Sequence, residues 1–258
     1  MKRNVLCAAM VLLAGSVLAA DKDDVSAAIA KLAAADNYSW KTSTTNIPPP
    51  GADANAGGGR RGRGGFGGGA VDGKVQKDGL IYVAMPGRGG AVTEGYVKGA
   101  KGAIKAGDDA GWTSLADATA DDGGGGFNMA AFAARRVQNT KAPADTAKDL
   151  LSKTKSVSKT GDSYTADLTE DGAKGLMTAG FGGFRGGGDG QGPDISGAKG
   201  TVKFWVKDGV LTKYETDVQG SIDFGGNSRD MHPVTTIEIR EVGTTKIDVP
   251  ADAKKSLS

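Results

Sequence analysis

The feature that most constrains the fold is a long alternating segment in the last third of the chain. Residues 201–207 and 210–224 are runs of alternating apolar and polar side chains joined by Asp208-Gly209. Asp-Gly between such runs is among the strongest hairpin signals in a sequence. The second run has one apolar and one charged face, which is typical of an antiparallel sheet covered on one side only. The residues predicted on its apolar face are Val210, Tyr214, Val218, Ile222 and Phe224, together with Thr212, Thr216 and Gly220. Leu211 is the exception, an apolar residue that falls on the charged face.

Similar short segments precede and follow this hairpin. Strands are predicted at 38–45, 71–76, 80–85, 92–98, 103–106, 112–115, 157–159, 164–168, 234–242 and 245–249. Lys77-Asp78-Gly79, between 71–76 and 80–85, is a further hairpin signal. Helices are predicted at 24–35 with Asp23 or Asp24 as the cap, and after Asn128, Pro143 and Thr169. The residues expected on one face of the helix after Asn128 are Met129, Phe132, Ala133 and Val137.

These elements predict an α+β domain built on one large antiparallel sheet. One helix precedes the sheet, and helices interrupt it in the middle of the chain. A sheet of this size has an apolar face larger than one short helix can cover. We therefore expect it to curl, close or hold something.

The first twenty residues predict a cleavable secretory signal peptide. Two basic residues precede the unbroken apolar run 5–13, and small residues follow up to Ala20. The apolar run is too short to span a bilayer. We expect cleavage after Ala19 or Ala20 and a periplasmic location, with secretion beyond the periplasm left open.

Composition narrows the function classes. The only cysteine, Cys7, lies inside the predicted signal, so the mature chain has no thiol for a disulfide, a metal site or a nucleophile. The signal also holds two of the 32 basic residues, which leaves 30 basic against 30 acidic residues. A neutral chain is a poor candidate for binding nucleic acid or an anionic membrane. We expect no nucleic-acid partner and at most peripheral contact with a membrane.

Glycine is concentrated in three islands. The segments 51–69, 123–126 and 180–192 hold 22 of the 43 glycines. They carry too little apolar surface to offset their ordering entropy. Because strand-rich patterns lie on both sides of them, we interpret them as loop insertions in a single domain, residues 21–258.

Two motifs in the first island have weak functional signals. The run from Gly57 to Gly67 is similar to an RGG box, as is a second loop at 181–188. In a neutral, exported chain a flexible basic loop is the favoured interpretation, and contact with an envelope partner is the alternative. The spacing Gly62-x-Gly64-x-x-Gly67 matches the dinucleotide fingerprint in form, but no strand precedes it and no helix follows it, so we reject it.

The sequence contains no recognisable catalytic or metal-binding set. His232 is the only histidine, and we interpret it as a strand-edge or loop residue without a catalytic role. The acidic pairs Asp108-Asp109, Asp121-Asp122 and Asp189 with Asp194 do not have the spacing of an EF-hand. We expect no cofactor and no enzymatic activity, although a histidine-free carboxylate pair stays open.

The element order and the C-terminal segments resemble the LolA/LolB-like lipoprotein carriers. Residues 204–214 (FWVKDGVLTKY) and 237–245 (IEIREVGTT) are similar to paired segments that end the LppX/LprG-type relatives, and Ile247-Asp248-Val249-Pro250 fits their ending. The resemblance implies a half-open barrel whose helices form a lid over an apolar cavity. It implies non-enzymatic binding or shuttling of a lipid, a lipoprotein acyl chain or another hydrophobic molecule. The glycine islands are not part of the family pattern, and the lack of a lipid-modified cysteine excludes its membrane-anchored version.

Within that expectation, residues of the mid-chain helices and of the apolar strand face are the candidate ligand contacts. Ordinary core packing is the favoured interpretation of such residues, and the alternative is a lid whose flexible Met and Phe side chains adapt to an apolar ligand. The candidates are Met129, Phe132, Leu176, Met177, Phe181, Phe204, Tyr214, Val218 and Ile222. The alternative function is that of an envelope structural or interaction protein that contacts a partner through its Gly/Arg-rich loops.

Overall fold

The computed structural model describes six segments of the chain. They are residues 8–48, 70–87, 90–120, 128–179, 194–223 and 226–258, with only the helical backbone given for 8–19 and 179. Sequence features that lie outside the described residues are the motif at 57–67, the glycine island 123–126, Asp121-Asp122, Phe181, Phe184, Asp189 and Phe224.

The described segments form strands and helices in mixed order. The strands are β1 (Asn37–Asn46), β2 (Val71–Gln76), β3 (Leu80–Pro86), β4 (Val92–Lys98), β5 (Lys101–Ala106), β6 (Thr113–Ser114), β7 (Thr154–Thr160), β8 (Ser163–Leu168), β9 (Asp194–Lys207), β10 (Val210–Asp223), β11 (Ser228–Met231) and β12 (Pro233–Arg240). The helices are α1 (Ala8–Ala33), α2 (Leu115–Ala120), α3 (Met129–Gln138), α4 (Pro143–Ser152), α5 (Glu170–Ala179) and α6 (Ala251–Lys254). None of these helices is both long and apolar enough to cross a membrane.

All described strands belong to one open antiparallel sheet, which confirms the predicted fold class. Its order is β6-β5-β4-β3-β2-β1-β12-β10-β9-β8-β7, and β11 pairs with β10 beside this path. The strand β12 joins two meanders, because it pairs with β1 on one side and with β10 on the other. Strands from the two ends of the chain therefore meet at the centre of the sheet.

Five helices cover one face of the sheet, which we call the inner face. Helix α1 packs on β7, β9 and β10, and α5 packs on β8, β9 and β10. Helices α2 and α3 pack on the opposite flank, over β4 and β5, and α4 packs on α1. Within the described residues no helix packs extensively on the middle strands β1, β2, β3 and β12. Helices therefore cover the inner face at both flanks of the sheet, whereas its central strands have little helical cover among the described residues.

Strand glycines mark the points where covering groups approach the sheet closely. A Cβ atom on Gly73 would lie 2.1 Å from the Trp40 ring, and one on Gly95 would lie 2.4 Å from the Val137 side chain. A Cβ atom on Gly220 would lie 2.8 Å from the sulfur of Met177. Glycine inside a strand permits this kind of contact at the expense of strand propensity.

The long hairpin of β9 and β10 forms as predicted. Asp208 and Gly209 both have positive φ, 54° and 71°, as a tight turn between twisted strands requires. The pairing shifts between Leu211 and Lys213. This irregularity buries Leu211 and explains why it broke the alternation, because a bulge changes the face on which following residues lie.

The prediction of a strand at 245–249 is wrong. The segment runs across the outer face of the sheet without joining a ladder, and Tyr96 Oη donates to the backbone oxygen of Asp248 at 3.0 Å. Ile247 and Val249 pack on an outer cluster of the flank formed by β3 to β5. The alternation in this segment arose because every second side chain contacts that face.

Two helix predictions also need correction. Helix α1 begins at Ala8, so Asp24 lies within it rather than at its cap, and its carboxylate accepts a hydrogen bond from Tyr164 Oη at 3.1 Å. The Asn128 cap of α3 is confirmed, since its side chain accepts from two backbone N–H groups. The predicted inner face of α3 is correct for Val137, which is buried, and wrong for Met129, which is 51% exposed. The residues that face the sheet are Ala131, Ala134 and Val137, and Val137 lies directly over Gly95.

Candidate functional site

An aromatic floor fills one half of the inner face at the sheet centre. Tyr38 and Trp40 of β1 have ring centroids 6.3 Å apart, as do Phe204 and Tyr214 on β9 and β10. All four side chains are at most 5% exposed. The N-terminal turn of α4 covers this floor, and the backbone N–H of Ala144 donates to Tyr38 Oη at 3.3 Å. This half of the face is closed.

Burial controls the acid–base behaviour of the floor. It raises the pKa of Tyr38 from 10.0 to about 12, and the hydrogen bond from Ala144 offsets part of the rise. Burial also raises the pKa of Tyr214, and the side chain of Thr146 offsets part of the rise. Both hydroxyls are therefore neutral at physiological pH.

We expect the free energy of unfolding to fall as the pH rises from 10 to 12. The unfolded chain loses the Tyr38 proton before the folded chain does, so the contribution is complete below the unfolded pKa and disappears as the pH passes the folded pKa. Between these values a Tyr38→Phe variant should lose about 2–3 kcal/mol less than the wild type. Urea unfolding at both pH values measures the difference, and an equal decline in the two proteins would contradict the assignment.

Threonines occupy the other half of the inner face. Thr44 of β1 pairs in register with Thr235 of β12, which pairs with Thr216 of β10. We call these three residues the threonine row. The hydroxyls of Thr44 and Thr235 are 3.0 Å apart. Thr44 and Thr235 are half-buried, so their part of the inner face is less tightly covered than the aromatic floor, whereas Thr216 is buried and only 6% exposed.

The inner face around the row carries no formal charge on the central strands. In the described parts of β1, β2, β3, β9, β10 and β12, the charged side chains lie on the outer face or at the strand ends. The inward residues in these strands are Tyr38, Trp40, Thr42, Thr44, Val71, Gly73, Val75, Ile81, Val83, Met85, Ile195, Ala198, Gly200, Val202, Phe204, Val206, Leu211, Tyr214, Thr216, Val218, Gly220, Ile222, Thr235, Ile237 and Ile239. Such a surface suits a ligand that is mostly apolar and uncharged.

The candidate ligand contacts fall into two groups in the structure. Met177 of α5 contacts β10 at Gly220, and Leu176 packs against the same core. The strand candidates of this group, all buried on the inner face, are Phe204, Tyr214, Val218 and Ile222. Met129 and Phe132 lie on α3 at the other flank, and Phe181 lies outside the described residues.

Sequence reasoning missed the threonine row. Its only sequence signal is that hydroxyl residues stand at alternate, inward positions of β1, β10 and β12. Thr44 and Thr235 are 191 residues apart in the chain, so no local pattern joins them. The row was identifiable only once the pairing of β12 with both β1 and β10 was known.

Other polar groups do not form a reactive set in the described part of the chain. His232 follows β11, and its Nε2 atom is 2.7 Å from Asp217 Oδ1 on the outer face. No group of histidine, cysteine or acidic residues could hold a metal ion among the residues that the structure describes. A polar groove of about 430 Å³ beside Trp112, Asp117 and Lys255 lies at the flank, away from the threonine row.

Comparisons with known proteins find similarity in structure only. No family model matches the chain, and no curated protein matches it. LprF from Mycobacterium bovis is similar over 91% of this chain and 97% of its own, with 9% identity and a TM-score of 0.45. The lipoprotein LppX of Mycobacterium tuberculosis is similar over 90% of this chain and 98% of its own, with 12% identity and a TM-score of 0.43. Both have the LppX/LprG fold, the group that the sequence resembles.

Proposed function

We propose that this protein is an exported, non-enzymatic carrier that binds a lipid, an acyl chain or another hydrophobic molecule in the cell envelope. The observation that carries the proposal is the inner face at the sheet centre. There an apolar, uncharged surface runs beneath two flanking groups of helices, and no helix packs extensively on the middle strands that the structure describes. A single sheet face of this kind provides the apolar wall that a hydrophobic ligand needs.

The ligand chain would lie between α5 and the end of β10. Met177 contacts the backbone there at Gly220, beside the inward residues Val218 and Ile222. Because Met177 is 2% exposed, the ligand enters by displacing it, and an unbranched thioether side chain adapts easily to such a change. Leu176 and Met177 then form one wall of the site, and Val218 and Ile222 form its floor.

The proposed export is compatible with the N-terminal helix. Cleavage after Ala20 leaves a helix whose first turn carries Asp21, Asp23 and Asp24. Acidic side chains in a first turn interact favourably with the helix macrodipole. Asp21 also accepts a hydrogen bond from the backbone N–H of Lys159 at 2.8 Å, which ties the new terminus to β7.

We expect Thr44→Phe to weaken binding of the neutral dye Nile red by at least about tenfold, or roughly 1.4 kcal/mol. Thr44 faces the open half of the inner face, where a phenyl ring would occupy the space of the ligand. The matched control is Thr45→Phe, since Thr45 is the next residue on the same strand and points to the outer face. Fluorescence titration of both purified variants, residues 21–258, measures the difference.

The identity of the cargo is accessible by mass spectrometry of an organic extract of the protein purified from its native envelope. A stoichiometric lipid in the wild type, reduced in Thr44→Phe and retained in Thr45→Phe, is the expected result. A folded wild type that yields no lipid and binds no dye would rule out the carrier function.

A role as an envelope interaction protein is the second candidate. Asn46 pairs with Pro233, and Asp194 pairs with Asp223, so the strands that flank residues 49–69 and 180–193 end on the same side of the sheet. The two Gly/Arg-rich sequences are thus attached at one end of the molecule. Deleting residues 57–69 should abolish capture of an envelope partner with the fold intact if this candidate is correct, and should change lipid binding little if the carrier function is correct.

A further inference from the structure

We propose that the threonine row binds the carbonyl group of an uncharged ester or amide in the ligand. This inference rests on the proposed carrier function and specifies the chemical class of its cargo. The observation behind it is that Thr44, Thr235 and Thr216 lie side by side on three adjacent strands. They occupy the half of the inner face that does not contain the aromatic floor.

The hydroxyl groups of the row have hydrogen-bonding capacity to spare. Each hydroxyl has one hydrogen to donate and can accept two bonds. In the pair Thr44–Thr235 only one hydrogen is used, since one hydroxyl donates to the other at 3.0 Å. Thr216 Oγ1 has no hydrogen-bond partner among the described residues. It is also not one of the fully buried unpaired oxygen atoms, so a small part of its surface is accessible. The row therefore offers donors to a group that enters from the open side.

A purely hydrocarbon ligand would not satisfy these donors. Covering them with methylene groups leaves polar hydrogens without an acceptor, which costs about 1–3 kcal/mol for each buried group. A carbonyl oxygen accepts two hydrogen bonds and carries no formal charge, so it matches both the donors and the neutral surroundings.

A charged headgroup would also fit poorly. A carboxylate or phosphate buried against uncharged strands loses its hydration without gaining a cation. Among the described strand residues, the charged side chain on the inner face is that of Arg229 of β11, which pairs with Ile222. Arg229 is exposed at the end of the sheet. Arg136 of α3 is half-buried without an ion pair in the described chain, and burial lowers its pKa, but it belongs to the helix at the other flank.

The test uses four probes with the same hydrocarbon chain: hexadecane, methyl palmitate, N-methylpalmitamide and palmitate. Displacement of Nile red from the mature protein measures their relative affinities. We expect the wild type to prefer the ester or the amide over hexadecane by about 5-fold, the equivalent of one net hydrogen bond. Comparison of methyl palmitate with N-methylpalmitamide shows whether the protein prefers an ester or an amide carbonyl.

The decisive variants remove the hydroxyls and keep the shape of the side chains. Thr216→Val and Thr235→Val should abolish the preference for a carbonyl, so that each variant binds hexadecane and methyl palmitate equally. The control Thr45→Val, on the outer face of β1, should retain the wild-type preference. Circular dichroism of each variant checks that the fold is intact.

The alternative outcomes separate this inference from the proposed function. Equal binding of hexadecane and methyl palmitate by the wild type would overturn the role of the threonine row and leave the carrier function standing. Tightest binding of palmitate, lost in Arg229→Gln, would overturn it in favour of an acidic headgroup. Binding of none of the four probes and of no dye would rule out the carrier function itself.

Discussion

Replacing Phe204 by alanine is expected to lower the free energy of unfolding by about 3–5 kcal/mol, the usual range for a fully buried phenylalanine. The side chain is 0% exposed and packs beside Tyr214 in the aromatic floor. Helix α1 contacts the same strand, so removal of the ring leaves a cavity between helix and sheet that rigid neighbours fill only partly. Urea unfolding followed by far-ultraviolet circular dichroism measures the change.

The neighbouring residue provides the control for this prediction. Trp205 lies on the outer face, half-buried, with Lys213 Nζ 4.2 Å from the centre of its ring. Trp205→Ala removes a larger side chain but leaves no internal cavity, and it should cost only about 1 kcal/mol, the value of an exposed cation–π contact with some lost packing. Equal losses for the two variants would mean that β9 does not present Phe204 to the core.

Substitution of Gly73 by alanine is expected to destabilise the protein by about 3 kcal/mol, at the upper end of the range for overpacked cores. The added Cβ atom would lie 2.1 Å from one carbon of the Trp40 ring and 2.2 Å from another. Trp40 is 5% exposed and cannot move aside without disturbing the aromatic floor. We expect a changed near-ultraviolet circular dichroism band together with a lower midpoint of urea unfolding.

Gly111→Ala is the matched control for the overpacking prediction. A Cβ atom at Gly111 would have no neighbour within 4 Å, and its φ is not in the left-handed region. The same substitution there should change the stability by less than about 0.5 kcal/mol. A Gly73→Ala protein as stable as the Gly111→Ala protein would show that the ring of Trp40 does not rest on β2.

Local sequence signals predicted the hairpins of this protein well. Asp208-Gly209 forms the turn of the longest hairpin, and Lys77-Asp78-Gly79 forms the turn between β2 and β3, where Gly79 has a φ of 83°. Both signals are strong because few residues adopt positive φ at low cost. The caps at Asn128 and Thr169 were predictable for a similar reason, since their side chains accept hydrogen bonds from the first turn of their own helices.

The inner face of α3 and the course of residues 245–249 were not predictable in this way. Helical periodicity suggested that Met129 and Phe132 faced the core, but Ala131 and Ala134 do so, together with Val137, which lies over Gly95. The alternation at 245–249 was compatible with a strand, yet the segment packs across the outer cluster instead. In both cases the outcome depended on the surface against which the segment packs. That surface is formed by other parts of the chain, so it cannot be inferred from the segment's own residues.

The sequence by itself determined most of the elements, the antiparallel class of the sheet and the division of the long strands into an apolar and a polar face. Those properties follow from turn residues and from the two-residue period of a strand, which act over a few neighbours. Only the tertiary structure decided that β12 lies between β1 and β10 and so brings Thr44, Thr216 and Thr235 together. Thr44 and Thr235 are separated by 191 positions, and their contact depends on the register of strands from opposite ends of the chain. That register is set by the burial of whole strand faces, so it exists only when the complete sheet has formed.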